Sequence, residues 1–316
     1  MPDCLQRWPA YNLYAKYLRC RVGMELYMKY AWEAFHQQKK PVFEDIPPNK
    51  AQLMSRVSGE AFDNGKTAEW MITLKTPVYR AVRSHVGHTI HVVSDRSFDG
   101  LTEDLVLGLK LMSWMSKRPL TWYWWDHDWE RILPENTVPG KEHINGGWAI
   151  PGVPEVHVYR REEAHKVLLH ETIHALRLDV HMPKDVRMQF HTDLKRELWP
   201  HLGEAFTEFF AEWLWAIAGA KNVSDAKARW AYQRDCAESQ ANIVWSRIHN
   251  RHEPEDTNVF AYYVLKWVLM GHEMEVILNP SRSVSKWFGW WKVIQPRLRT
   301  NDATHELIPM GMTCLI

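Results

Sequence analysis

Residues 170 to 174, His-Glu-Thr-Ile-His, set two imidazoles four residues apart with a carboxylate directly after the first. On a helix, positions i and i+4 share one face, so His170 and His174 can both reach one ion at about 2.0–2.1 Å. Glu171 is rotated about 100° from His170, beside such an ion rather than on it. That offset suits a base that takes a proton from a water polarised by the metal, whose pKa falls toward about 7. The ordinary alternative is a pair of core histidines in a chain that has 17 of them.

The surroundings favour the metal. Leu168, Leu169, Ile173, Leu176 and Leu178 spread over most of the helix circumference, which predicts a helix buried between two layers. Buried imidazoles and a buried carboxylate need partners, and a metal supplies them. A catalytic zinc also wants a third protein ligand and an open position. Downstream, GEAFTEFFAEW at 203 to 213 spaces Glu204, Glu208 and Glu212 by four along one face, among Phe206, Phe209, Phe210 and Leu214. A solvated acidic stripe is the common meaning of that spacing. Aromatic neighbours point instead to a carboxylate aimed at the metal, with Glu204 first and Glu208 as the fallback.

The elements that must position these residues are legible in outline. HTIHVVS at 88 to 94 and LTWYWWD at 120 to 126 read as strands. Between them, Leu101, Leu105, Leu109 and Met112 recur at helical spacing, with Asp99 as the expected N-cap. The β-α-β order predicts parallel pairing. GGWAI at 146 to 150 and EVHVYR at 155 to 160 are shorter strands, giving a small mixed sheet of four. The histidine helix follows, with Glu162 and Glu163 expected in its first turn, where the dipole favours acids. Beyond residue 184 the chain reads as helix and loop, so the class is α+β. Residues 10 to 38 read as helix, KKPVFEDIPPNK as a linker and 50 to 62 as a second helix. Three units are expected: 1–80, an N-terminal helical extension and linker; 81–200, the sheet with the histidine helix; and 201–316, a helical C-terminal part.

Composition excludes several classes. A net charge of +1, from 39 basic and 38 acidic residues, supplies no field for a polyanion, so nucleic acid is not expected as a partner. The most apolar windows, WLWAIAGA and VLKWVLM, fall short of the roughly 20 residues a membrane span needs. Four scattered cysteines and a start without an uninterrupted apolar core predict reduced thiols and an intracellular, cytoplasmic chain. The 18 tryptophans are expected mainly in the core. No heptad or repeat supports an oligomer.

HETIH followed by GEAFTEFF resembles the gluzincin group of zinc metallopeptidases, and the strand–helix–strand–strand–strand–helix order before it is similar to the zincin N-terminal subdomain. The resemblance covers about residues 80 to 215. It implies a zincin-like fold, one Zn2+ held by His170, His174 and Glu204, Glu171 as base, and Glu208 as an acid hydrogen-bonded to a ligand histidine. It also implies a peptide or protein substrate, lying along the sheet edge at 145–150 or 155–160. The gap of 29 residues between His174 and Glu204 is longer than in the best-known gluzincins. The metzincin pattern would need Gly at 177 and His at 180, where this chain has Arg177 and Val180.

Attack on a carbonyl needs an oxyanion stabiliser, for which Tyr262 and Tyr263 come first and His249 and His252 next. The expected function is peptide-bond hydrolysis. The alternative is a catalytically silent zincin-like structural or binding protein in an assembly, against which the intact Glu171 argues.

Overall fold

The structure is a computed structural model, and it describes residues 24–57, 60–131, 139–180, 201–248 and 257–298. Its centre is a six-stranded mixed sheet. The strands are β1 (Phe43–Ile46), β2 (Val78–Ser84), β3 (Thr89–Ser94), β4 (Thr121–Asp126), β5 (Gly147–Ala149) and β6 (Glu155–Val158), in the order β1-β2-β3-β4-β6-β5. β3, β4 and β6 run parallel, while β1 with β2, β2 with β3 and β5 with β6 are antiparallel. The expected β3–helix–β4 unit is present, its helix spanning Thr102–Met115.

Two strands extend the sheet beyond the four expected. β1 sits among the prolines assigned to the linker, and β2 spans the expected boundary at residue 81, so the sheet begins inside the segment expected to be a helical extension. The expected helix over 50–62 is two short ones, α2 (Lys50–Ser55) and α3 (Glu60–Asp63), the first helix being α1 (Met24–His36). Another, α4 (Lys66–Thr73), follows.

Alternation along the strands gives the sheet two apolar faces. On one, Ile90, Val92, Trp122, Trp124, Val156 and Val158 join the main core; on the other, Val93, Tyr123 and Trp125 meet Leu53 of α2 and Trp70 of α4. The tryptophans of TWYWWD are thus core residues, as expected. Helix α5 (Thr102–Met115) lies close on the main face because Gly108 lacks a side chain: a Cβ there would stand 2.4 Å from the Trp122 ring. Asp99 does not cap α5. It opens a short 3-10 turn, Asp99–Leu101, and no side chain caps either start.

After β4 come α6 (Lys141–Ile144) and then α7 (Ala164–Ala175), which carries the histidine pair. Every residue of α7 except His174 is buried, because the sheet covers one side and α8 (His201–Ala218) the other. Glu162 and Glu163 lie before α7 rather than in its first turn. Glu163 has φ +57°, and both acids turn to Arg131: Glu163 pairs with its guanidinium and Glu162 accepts from its backbone N–H at 2.7 Å.

α8 is followed by α9 (Val223–Ile248), a π-helical turn Ala261–Leu265 running into α10 (Lys266–Met270), α11 (Glu273–Leu278) and α12 (Pro280–Ile294). Among the described residues beyond 184 there is no strand, and none of the helices is long and apolar enough to cross a membrane. α1 packs on this helical layer, with Trp32 Nε1 donating to Ala220 O at 3.0 Å. Cys236 in α9 is disulfide-bonded, which corrects the expectation of reduced thiols.

Candidate metal centre

α7 and α8 run antiparallel with complementary stripes. α7 presents Lys166, His170 and His174 at successive i+4 positions, and α8 presents Glu204, Glu208 and Glu212. His174 meets Glu204, His170 lies between Glu204 and Glu208, and Lys166 pairs with Glu208. Glu212 continues the ladder to Lys266 of α10, Nζ to Oε2 at 2.7 Å.

At the open end of this ladder three donor atoms converge. His170 Nε2 and His174 Nε2 are 3.2 Å apart, and each is 3.4 Å from Glu204 Oε2. Tetrahedral ligands at zinc-like distances of 2.0–2.1 Å stand about 3.3 Å from one another. The triangle therefore fits one face of such a tetrahedron, and among the described residues no fourth His, Cys, Asp or Glu joins the group. His170, His174 and Glu204 form a group able to hold a metal ion.

The far nitrogens of both histidines are also held, which fixes the rings with Nε2 inward. His170 Nδ1 donates to Glu208 Oε2 at 2.8 Å, and His174 Nδ1 pairs with Asp179, which also accepts from Thr207 Oγ1 at 3.3 Å. Burial works against protonation of His170 and His174, but the surrounding carboxylates outweigh it and raise both pKa values in the metal-free chain. Burial likewise opposes ionisation of Glu204 and Glu208, and the facing cations prevail, holding both below the usual carboxylate range. Glu212 behaves oppositely: burial pushes its carboxyl up to about 7, despite Lys266. Burial also raises the pKa of Glu171, against the pull of the two histidines, in keeping with a group that takes up a proton.

Glu171, the three donor residues and Tyr262 line one cleft of about 400 Å³. Its other wall is β5, one of the two edge strands of the sheet among the described residues. The backbone N–H of Tyr159 donates to Gly146 O at 3.0 Å, which makes Gly146/Tyr159 and Trp148/His157 the hydrogen-bonded pairs. The N–H and C=O of Gly147 and Ala149 are consequently turned toward the open edge. Of the two expected edge segments, 145–150 is the edge and 155–160 is interior.

The π-helical turn aims Tyr262 and Tyr263 in different directions. Tyr262 faces the centre, its hydroxyl 3.5 Å from Glu204 Oε2 and its ring edge-on to His170 at 5.9 Å. Burial and the Glu204 charge raise its pKa, so it stays a proton donor. Tyr263 is fully buried, lies under Lys266 and is not among the cleft residues. His181, His249 and His252 lie outside the described residues. Sequence reasoning did not assign Lys166 or Asp179, although Lys166 carries a signal: it is a lone cation four residues before His170 in an apolar run.

No protein-family profile, curated protein or solved structure matches this chain. What defines the site is therefore its own geometry.

Proposed function

We propose that this chain is a zinc-dependent metallopeptidase with a zincin-like arrangement. The observation that carries the reading is the triangle of His170, His174 and Glu204 with Glu171 beside it, opening onto a cleft bounded by an edge strand. Two neutral imidazoles and one carboxylate with an open fourth position are a donor set suited to catalytic zinc. When bound, zinc would polarise a water and the scissile carbonyl.

The chain's own residues supply the rest. The outward N–H and C=O groups of Gly147 and Ala149 would pair with an extended peptide and set its carbonyl over the donor triangle. Glu171, buried with its pKa raised, would take the attacking water's proton and pass it to the leaving amine. Tyr262, protonated and beside Glu204, is placed to donate to the developing oxyanion. Glu208 and Asp179 hold the two rings in register throughout.

Metal analysis of protein purified without added zinc, paired with peptide-library cleavage by wild type and Glu171→Gln, tests the reading. One zinc per chain is expected, with cleavage reduced about 10²–10⁴-fold in the variant. A chain that takes no zinc overturns the ligand assignment. Zinc without Glu171-dependent cleavage would favour a silent binding scaffold.

A further inference from the structure

A column of parallel rings crosses the sheet and ends in the cleft. His91 of β3 stacks on Tyr123 of β4 (5.3 Å, 12°), Tyr123 on His157 of β6 (5.1 Å, 15°), and His157 on Trp148 of β5 (3.6 Å, 2°). Phe62 of α3 stacks on Trp148 at 4.8 Å and 9°. His91, Tyr123 and His157 are buried and Trp148 is half-buried, while Phe62, the last, is 37% exposed. Among the described residues no ring stacks on its outer face, and both Phe62 and Trp148 line the same cleft as His170, His174 and Glu204.

Phe62 is also anchored. Its carbonyl accepts from Asn145 Nδ2 at 2.8 Å and Tyr159 Oη at 3.0 Å, and the next residue, Asp63, accepts from the N–H groups of Gly65 and Thr67. Burial, aided by Arg56, holds His157 down to about 3, so the column remains uncharged at neutral pH. An exposed phenylalanine held this firmly presents a ready platform, with little ordering cost left for a ligand.

We infer that Phe62 is a ring-binding subsite: the peptide taken by this cleft carries a planar side chain that stacks on the outer face of Phe62. The inference rests on the peptidase reading and adds a substrate class to it. Strand alternation places the ring. A Cβ on Gly147 would meet Val167 and Glu171, so that position of β5 faces α7, while Trp148 faces the opposite side, with Phe62. A peptide added along β5 would alternate likewise, so every second side chain would face the Phe62 side rather than α7.

Zinc-loaded Glu171→Gln protein, titrated calorimetrically with alanine hexapeptides carrying one Phe, Leu or Ala walked along the chain, tests this without turnover. One register should bind the Phe peptide roughly 3- to 10-fold tighter than Ala, the range a ring contact supplies, with Leu falling short of Phe. The added substitution Phe62→Ala should bring that ratio close to one, and Phe62→Tyr should keep it. Equal binding of Phe, Leu and Ala peptides in every register, or a preference that survives Phe62→Ala, overturns the subsite. Absence of binding by any of the peptides overturns it as well. A ring preference in binding, with no cleavage by wild type, sinks the peptidase reading and leaves the subsite standing.

Discussion

Lys166 and Glu208 are both wholly buried and paired with each other, and the second oxygen of Glu208 accepts from His170 Nδ1 at 2.8 Å. One carboxylate thus compensates a cation and orients a histidine of the candidate metal centre. Glu208→Ala is expected to weaken zinc binding about 10–100-fold by freeing the ring. It should also cost about 3–5 kcal/mol in the metal-free protein, because Lys166 is left buried without its partner. Chelator competition and urea denaturation measure the two separately. In Glu208→Ala with Lys166→Met, much of the stability should return while zinc affinity stays low.

Glu204 and Asp179 flank His174 in different roles. Glu204 brings Oε2 within 3.4 Å of both Nε2 atoms, whereas Asp179 holds only Nδ1 of His174. Glu204→Ala should abolish stoichiometric zinc binding, and Asp179→Ala should reduce affinity by about 10–100-fold without abolishing it. If Glu204→Ala retains zinc and Glu208→Ala loses it, the ligand is one turn further along α8.

The pH dependence has a definite sign. His170 and His174 have raised pKa values in the metal-free fold, carboxylate partners outweighing burial. Their contribution to stability is full below the unfolded value of about 6.5 and is lost as pH rises through the folded values. Glu204 and Glu208, with lowered values, contribute above about 4.3 and lose that contribution as pH falls toward their folded values. Zinc takes neutral imidazole, so its apparent affinity should keep climbing above about pH 6.5, through the raised folded values, with protons released. Calorimetry in buffers of different ionisation enthalpy counts those protons, and a flat affinity over that range contradicts the scheme.

Much of this was legible locally. β3 to β6 announced themselves by β-branched and aromatic runs, and the donor triangle by i+4 spacing on two helices. β2 escaped because Arg80 and Arg83 interrupt its pattern. Arg80 is nonetheless buried, since Asp45 of β1 takes its Nε at 2.8 Å and Thr102 its Nη1 at 2.9 Å. β1 escaped because Pro41 and Pro47 bracket it, a pattern tolerated at a sheet edge but suggestive of a linker. Glu162 and Glu163 were misplaced by local dipole reasoning, since Arg131, about 30 residues upstream, competes for them. The ring column was invisible for the same reason: its members come from five elements and meet only after the sheet has formed.

Gly147 offers the sharpest test of how closely β5 must approach the base. A Cβ at this position would stand 2.5 Å from His157 O, 2.8 Å from Val167 Cγ1 and 3.0 Å from Glu171 Cγ. The first contact is backbone and cannot rotate away, so β5 must part from β6 or shift against α7. Gly147→Ala should therefore cost about 1–3 kcal/mol of stability. It should also depress peptide cleavage through the displaced edge and base, while zinc stoichiometry holds because all three donors lie on α7 and α8. Gly203→Ala is the matched control: a Cβ there meets nothing within 4 Å, and alanine in a helix is favoured over glycine by about 1 kcal/mol. Thermal denaturation should show Gly147→Ala below wild type and Gly203→Ala at or above it. Equal stability and cleavage for Gly147→Ala and wild type would mean that the edge yields freely, and the strand-addition geometry would lose its basis.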